Sequence, residues 1–512
     1  MQTPGRTTLA LLLSALATAS TLGTTFAPTA AATTPSLTWR PCATAGGPAG
    51  QECADLTVPV DYARPGGPTL TLAVSRVAST DAADRRGVLM VIPGGPGGSG
   101  VQRLTQRATA LQQQLGGRYD LVAFDPRGVG GSTKASCGLA AGDRHMVGLR
   151  SWPDAHGRID ANITQARRIA EACARNGGPL LRSFSAENQV RDLERLRIAL
   201  GERTLSAWST SYGAYSGAVY AEKFPHRTDR WVLDSVGDPD PRRLEQGWMV
   251  NLSRAVEIRF PDFAAWAADP ARETHRDPAP GSPTENLRLA ATPADIRPLF
   301  LHLATQLDRT ARESTTPGVP LTGNRLRQAL QTGLGSDAHF PAIARMMKSA
   351  LAPAGSPAGT PVLTPEIAGP LPDTDAAVVM ASICNDVRWP ADISAYPEAV
   401  ARDRASHPLT AGMPANLNAC NFWKPAPTHT PTRLTDRGPS HILITQNLRD
   451  PATPYFGALK MRAALGDRAR MVTNASGGHG AYLANGTPCG DRTVTDFLLN
   501  GTRPATDTHC AN

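Results

Sequence analysis

Residues Leu205–Pro225 read LSAWSTSYGAYSGAVYAEKFP. An apolar segment runs into a Ser/Gly cluster and leaves it in a helical pattern. At the centre, Ser209-Thr210-Ser211-Tyr212-Gly213 follows the strand–elbow–helix signature Gly-x-Ser-x-Gly, except that Ser209 holds the place of the first glycine. The elbow backbone turns so sharply that the residues two before and two after the central serine must be small, and glycine is only the smallest choice. Ser209 and Gly213 both meet that limit, so Ser211 is the candidate nucleophile. Ser209 itself is flanked at the same spacing by Ala207 and Ser211 and by no glycine, which makes it the weaker choice. Ser206 and Ser216 have no elbow around them.

Outward from this stretch, apolar runs alternate with helical patterns. DLTVPVDY and TLTLAVSRVAS read as an opening pair of strands, and GVLMVIPGG, YDLVAFDPRG, TLSAWSTS and RWVLDSVGD as the next four. The run Val88–Ile92 is continuously apolar, as expected of a strand buried on both faces of a parallel sheet. SAENQVRDLERLRIALG predicts a helix capped by Ser185, with Val190, Leu193, Leu196 and Leu200 along one side and Gly201 as its stop. Beyond Asp240 the strand signal disappears. Residues 241–431 are rich in Ala and Pro, with helical stretches such as TPADIRPLFLHLATQLDRT, where Thr292 is the expected cap and Pro293 the first helical residue. Strands return at HILITQN and RMVTNAS, and DRTVTDFLLNG closes the chain as a helix. The pattern predicts an α/β sheet in two parts, 33–240 and 432–512, interrupted by a mainly helical lid insertion, 241–431, between strands six and seven.

A serine nucleophile needs a base, a group to orient that base, and donors for an oxyanion. In the α/β-hydrolase fold these follow in the chain order Ser, acid, His, each just past a strand. Asp450, in NLRDPATPY, follows HILITQN, and His479, in GGHGAY, follows RMVTNAS. Together with Ser211 they form the candidate triad. PGGPGGSG, directly after GVLMVI, can aim N–H groups at a developing charge. Pro96 has no N–H, so the expected donors are Gly95 and Tyr212, and the Gly95–Pro96 bond is expected to be cis. The loop lacks the lysine and hydroxyl of a phosphate-binding P-loop. Asp125 and Arg127 in FDPRG are read as fixing the loop after the fourth strand, and His302 and His441 as packed or surface residues.

Lys and Arg number 52 against 44 Asp and Glu, a formal charge of +8. The basic residues are scattered and not interleaved with aromatics, which argues against nucleic-acid binding. Arg6, an apolar stretch from Leu9, and the small residues ending at Ala30-Ala31-Ala32 have the form of a secretory signal peptide, 1–32, cleaved near Ala32. The apolar run is too short to span a bilayer, which takes ~20 apolar residues, so a released, extracellular chain with no stable membrane association is expected. Eight cysteines in a secreted chain argue for disulfides. Spacing does not fix their connectivity. Sequential neighbours are the expectation: Cys42–Cys53, Cys137–Cys173, Cys384–Cys420 and Cys489–Cys510. No C-x-x-C or H-E-x-x-H spacing occurs, so neither a metal nor another cofactor is expected.

The blocks PGGPGGSG, FDPRGVGGS, STSYGAYSGAVYAEKFP, VLDSVGDP, NLRDPATPY and GGHG resemble the prolyl-aminopeptidase branch of the α/β-hydrolases. More closely, they resemble the secreted tripeptidyl aminopeptidases of actinobacteria, from about Trp39 to Cys510. The resemblance implies a serine exopeptidase that removes short peptides from the free N-termini of peptides or proteins. The nucleophile, acid and base would be Ser211, Asp450 and His479, with GGPGG supplying the oxyanion role. An exopeptidase also needs a carboxylate to meet the substrate ammonium. ASICNDVRWP resembles the family's Cys-Asn-Asp block, which points to Asp386, with Asn385 as a neutral partner. A helix cap or a salt bridge to Arg388 is the structural alternative for Asp386. Two other functions stay open: a carboxylesterase or lipase with the same triad, and a catalytically silent binding protein. A monomer is expected.

Overall fold

Val88, Met90 and Ile92 face one side of their strand and Leu89 and Val91 the other, and all five are buried. The continuous apolar run thus reflects a sheet covered on both faces. A computed structural model describes residues 36–43, 46–427 and 429–511; the signal-peptide expectation lies outside them. The eight principal strands are β1 (Gln51–Pro59), β2 (Thr69–Val77), β3 (Val88–Ile92), β4 (Asp120–Phe124), β5 (Leu205–Thr210), β6 (Thr228–Asp234), β7 (Ile442–Arg449) and β8 (Ala469–Gly477). They lie in the order β1-β2-β4-β3-β5-β6-β7-β8, with short strands Arg40–Pro41 beside β1 and Thr508–Cys510 beside β8. β2 runs antiparallel to β1 and β4, and β3 to β8 are mutually parallel. This is the α/β-hydrolase fold.

The helices divide between the two faces. α1 (Gly100–Gln114) and, at the end of the chain, Pro488–Asn500 cover one side through Leu104, Leu111, Val494 and Phe497. Between β4 and β5 come α2 (Asp160–Asn176) and α3 (Ala186–Ala199). α3 and α4 (Tyr212–Lys223), which follows β5, cover the other side through Val190, Leu193, Ala214 and Ala218. Ser185 caps α3 by accepting the Asn188 N–H at 3.3 Å, and Gly201 past its end has φ +72°. α1 leaves β3 toward one face while α4 leaves the adjacent β5 toward the other. Their loops diverge there and open a crevice at the carboxyl ends of the strands, where open α/β sheets bind ligands.

Between β6 and β7 the described chain is mainly helical, with one antiparallel ribbon of two residues a side, His275–Arg276 and Thr284–Glu285. α5 (Leu244–Ala268), α6 (Pro293–Arg309), α7 (Gly323–Gly333) and α8 (Phe340–Leu351) enclose a core of their own, including Phe260, Phe263, Phe300, Leu330, Phe340 and Met347. Pro293 is the first residue of α6, but the Thr292 hydroxyl bonds the Asp295 carboxylate at 2.6 Å instead of capping a backbone N–H. α9 (Asp373–Asp386) packs on α2 through Ala377, Val378, Ile169 and Cys173. It passes over the loop after β3, where a Cβ on Gly97 would lie 3.4 Å from Val378. α10 (Tyr396–Ser406) follows, then α11 (Tyr455–Leu465) after β7 and α12, the Pro488–Asn500 helix. The cysteines are bonded as four sequential pairs, 42–53, 137–173, 384–420 and 489–510. No helix among the described residues is long and apolar enough to cross a membrane.

Candidate active site

Ser211 is one residue past β5 and has φ +61°, ψ −125°, a conformation costly for any residue with a Cβ. Close packing around it maintains the bend. A Cβ on Gly94 would lie 2.6 Å from Ser211 Cβ, and one on Gly213 would overlap the Pro93 carbonyl oxygen. The serine in the place of the first glycine is buried and donates to the Val232 carbonyl at 2.8 Å. Its room comes from Gly217 on α4, where a Cβ would lie 2.7 Å from Ser209 Oγ. Ser209 Oγ is therefore committed inside the sheet, which leaves Ser211, half-buried and with no hydrogen-bond partner for its Oγ among the described residues, as the hydroxyl of the elbow.

Asp450 and His479 sit at the ends of β7 and β8. Asp450 is buried and accepts the Ala452 and Thr453 N–H groups at 2.8 and 2.9 Å and the Thr453 hydroxyl at 3.0 Å. Its Oδ2 lies 2.9 Å from His479 Nδ1, fixing the imidazole with Nδ1 toward the acid. Burial pushes the His479 pKa down, but the Asp450 charge and hydrogen bond outweigh it, and the net direction is upward. His479 Nε2 and Ser211 Oγ make no hydrogen bond with a described residue. The His479 backbone N–H donates to Gly335 O at 2.8 Å, in the turn after α7, so the segment between β6 and β7 helps seat the histidine loop.

Neither of the expected oxyanion donors, Gly95 and Tyr212, spends its N–H on a described carbonyl or side chain. Tyr212 opens α4, where the first N–H groups have no intrahelical partner. The Gly95–Pro96 bond is cis, and Gly95 has φ +120°. Asp125 anchors the far end of this loop by accepting the Ser99 hydroxyl at 2.6 Å and the Val101 and Gly131 N–H groups at 3.1 and 2.8 Å. Arg127 makes a buried two-point ion pair with Asp192 at 2.7 and 2.8 Å. His441 is largely buried, which pushes its pKa down to about 4, and His302 is exposed.

Asp386 closes α9 and is buried. It accepts the Tyr212 hydroxyl at 2.6 Å and the Ala186 N–H at 2.7 Å, so it caps α3 and is one tyrosine side chain away from the elbow. Arg388 does not pair with it. Asn385 donates to the Leu181 and Phe184 carbonyls at 3.0 and 2.9 Å and accepts the Trp423 indole N–H at 2.8 Å, all internal bonds. One neighbour was not anticipated from the sequence. Glu245, in the first turn of α5, is buried, and neither carboxyl oxygen has a hydrogen-bond partner among the described residues. Burial first, then the Asp386 charge, pushes Glu245 well above the usual carboxylate range, while burial pushes Asp386 up to about 6. An acidic residue in a helical first turn is ordinary, so nothing in the sequence marks this one as buried.

The family model described as TAP-like protein matches residues 408–510. The chain is 31% identical to the tripeptidyl aminopeptidase of Streptomyces lividans, over 93% of this chain and 86% of the relative. It is 27% identical to serine protease Hip1 of Mycobacterium tuberculosis, over 92% and 90%, and 29% identical to carboxylesterase B of the same organism, over 90% and 86%. All three names describe hydrolases. A full-length likeness above 30%, on an α/β-hydrolase sheet, places the chain among serine hydrolases: it belongs to the tripeptidyl aminopeptidase-like family.

Proposed function

We propose that the protein is a secreted serine exopeptidase that releases short peptides, tripeptides foremost, from free N-termini. Ser211 Oγ attacks the carbonyl at the cleaved bond while His479 Nε2 takes its proton, and Asp450 holds the imidazole tautomer and stabilises the imidazolium. The N–H groups of Tyr212 and Gly95 receive the negative charge on the carbonyl oxygen. His479 then gives the proton to the leaving amine, and water resolves the acyl-enzyme by the reverse sequence. The segment 241–431 acts as a lid that limits how much of a chain can enter. The four disulfides and the signal-peptide-like sequence of residues 1–32 support export.

The observation that carries the peptidase reading is the buried carboxyl pair, Glu245 beside Asp386. A buried carboxyl group without a partner is costly, and an incoming ammonium would relieve that cost. Burial holds both carboxyl groups above the ordinary range, and a cation entering beside them would favour their ionised forms. Asn385 then acts by pinning the turn that carries Asp386. The likeness to carboxylesterase B keeps an esterase as the second reading. Aminoacyl, dipeptidyl and tripeptidyl p-nitroanilides, free and N-acetylated, should be compared with a neutral p-nitrophenyl ester. The proposal expects the free tripeptide to be cleaved best and its acetylated form hardly at all. Equal turnover of free and acetylated forms, with the ester preferred, would support the esterase.

A further inference from the structure

The dipeptide Asp234–Ser235, at the end of β6, touches both halves of the triad and takes no part in the chemistry above. Asp234 is completely buried. Its backbone carbonyl accepts the Ser211 N–H at 2.9 Å. Its carboxylate receives four donors: Ala481 N–H at 2.7 Å and Ser235 Oγ at 3.0 Å on Oδ1, and Trp208 Nε1 and Tyr482 N–H at 3.0 Å each on Oδ2. Ser235, held at φ +56°, accepts the Gly480 N–H on its hydroxyl at 2.9 Å. Three consecutive N–H groups directly after His479 therefore end on the same dipeptide that holds the backbone of Ser211.

A carboxylate with four donors and no countercharge in contact is an unusual choice for a purely structural joint. Charged acceptors make shorter and stronger hydrogen bonds than neutral ones, which suits a joint that must not drift. An asparagine of the same shape would turn an NH2 group toward an N–H donor.

We propose that Asp234 is a positioning residue that sets the nucleophile elbow and the histidine loop relative to each other and whose buried charge favours the imidazolium formed during catalysis. The charged groups facing His479 are Asp450 from the end of β7, Asp234 from the end of β6, and Arg103 from α1, which opposes them. Behind the loop, Arg259, Asp262, Asp337 and Arg449 pair with one another around Gly477 and the Leu334 carbonyl. Burial raises the Asp234 pKa while its four donors pull it back, and as a carboxylate it adds to the upward push that Asp450 exerts on the imidazole.

The inference rests on the assignment of Ser211 and His479 and not on the preferred substrate. Its test therefore uses a small neutral ester and fluorophosphonate labelling. Ser211→Ala must abolish labelling; if labelling survives, the triad assignment itself fails. With that control in place, Asp234→Asn should lower kcat about 10²-fold, the cost of ångström-scale misplacement, with KM nearly unchanged. The acid limb of its kcat/KM profile should move to lower pH, because a negative charge near the imidazole is gone. Parental kcat would overturn the proposal. A fall in kcat with the acid limb unmoved would overturn it too, reducing Asp234 to a structural residue. If Asp234→Asn does not fold, Ser235→Ala removes the Gly480 acceptor and one donor to the carboxylate without changing charge. That variant should lose about tenfold in kcat, within what two lost hydrogen bonds can supply, and parental kcat there would equally overturn the proposal.

Discussion

Gly217 and Ser209 share one space, and the sharing can be measured. In the parent protein Gly217→Ala places a methyl group 2.7 Å from Ser209 Oγ and 3.3 Å from Leu233 Cδ2, an overpacking of the kind that costs about 1–3 kcal/mol. Ser209→Gly removes a buried hydrogen bond, worth about 1 kcal/mol, and clears the same space. The double variant should be more stable than the two single effects summed, and denaturant unfolding of the four proteins gives the coupling directly. Additive effects would mean that the elbow does not depend on this pair. Activity separates the two serines: Ser211→Ala should lose several orders of magnitude in kcat with an unchanged unfolding midpoint, while Ser209→Gly keeps most of its turnover. The places of Ser211, Asp450 and His479 just past strands were legible in the sequence because each strand's apolar run is unmistakable. Gly217 and Glu245 were not, because their roles depend on what lies opposite them in space. Thr292 shows the same limit: the cap position is readable, but a local carboxylate takes its hydroxyl.

Where the first turn of α5 meets the last turn of α9, two carboxyl groups share one buried space. Both are held above their ordinary range, so the linkage is the reverse of the usual acidic case. The folded state binds protons more tightly than the unfolded chain, and stability falls as pH rises from about 4, the ordinary carboxylate value, to the Asp386 pKa of about 6. Glu245 is pushed well above the ordinary range by burial and the Asp386 charge, so the loss continues for as long as the folded state holds that proton. Glu245→Gln removes the cost of burying a carboxyl group that ionises in the unfolded chain, so it should raise Tm at pH 8, with the gain shrinking toward zero at about pH 4. The same variant should lose kcat/KM on free-amine peptides and keep its rate on a neutral ester. A stability gain together with a specificity loss would mark the pair as a site maintained against stability. A gain without that loss would confine it to a structural role. At this scale the sequence carried most of the fold, since period-2 and period-3.6 patterns give the principal strands and helices. It missed the strand Thr508–Cys510, whose three residues are too few to show a period and which is held beside β8 by register and a disulfide.

The molecule as a whole is fastened at its end. Cys489, in α12, is bonded to Cys510 on that last strand, across a separation of 21 residues. In the chain-entropy model a loop of this length is worth about 3 kcal/mol. Replacing both cysteines with serine should therefore lower Tm clearly, while kcat at 25 °C stays near the parental value, because His479 is seated by Asp450 and Gly335 rather than by the disulfide. A loss of kcat without a loss of Tm would show the reverse. The division into sheet and helical segment was legible from where the strand signal stops and resumes. The separate core of α5 to α8 was not, because helical patterns do not say which helices face each other. Placing Ser211 after β5 but Asp450 and His479 after β7 and β8 also has a consequence in time. A ribosome completes the nucleophile long before the groups that activate it, and the long segment between them is synthesised while no base exists. With this triad, a nascent chain is chemically silent, whatever it has already folded, until β7 and β8 join the sheet. Competence then arrives in one step, when β7 and β8 are in place.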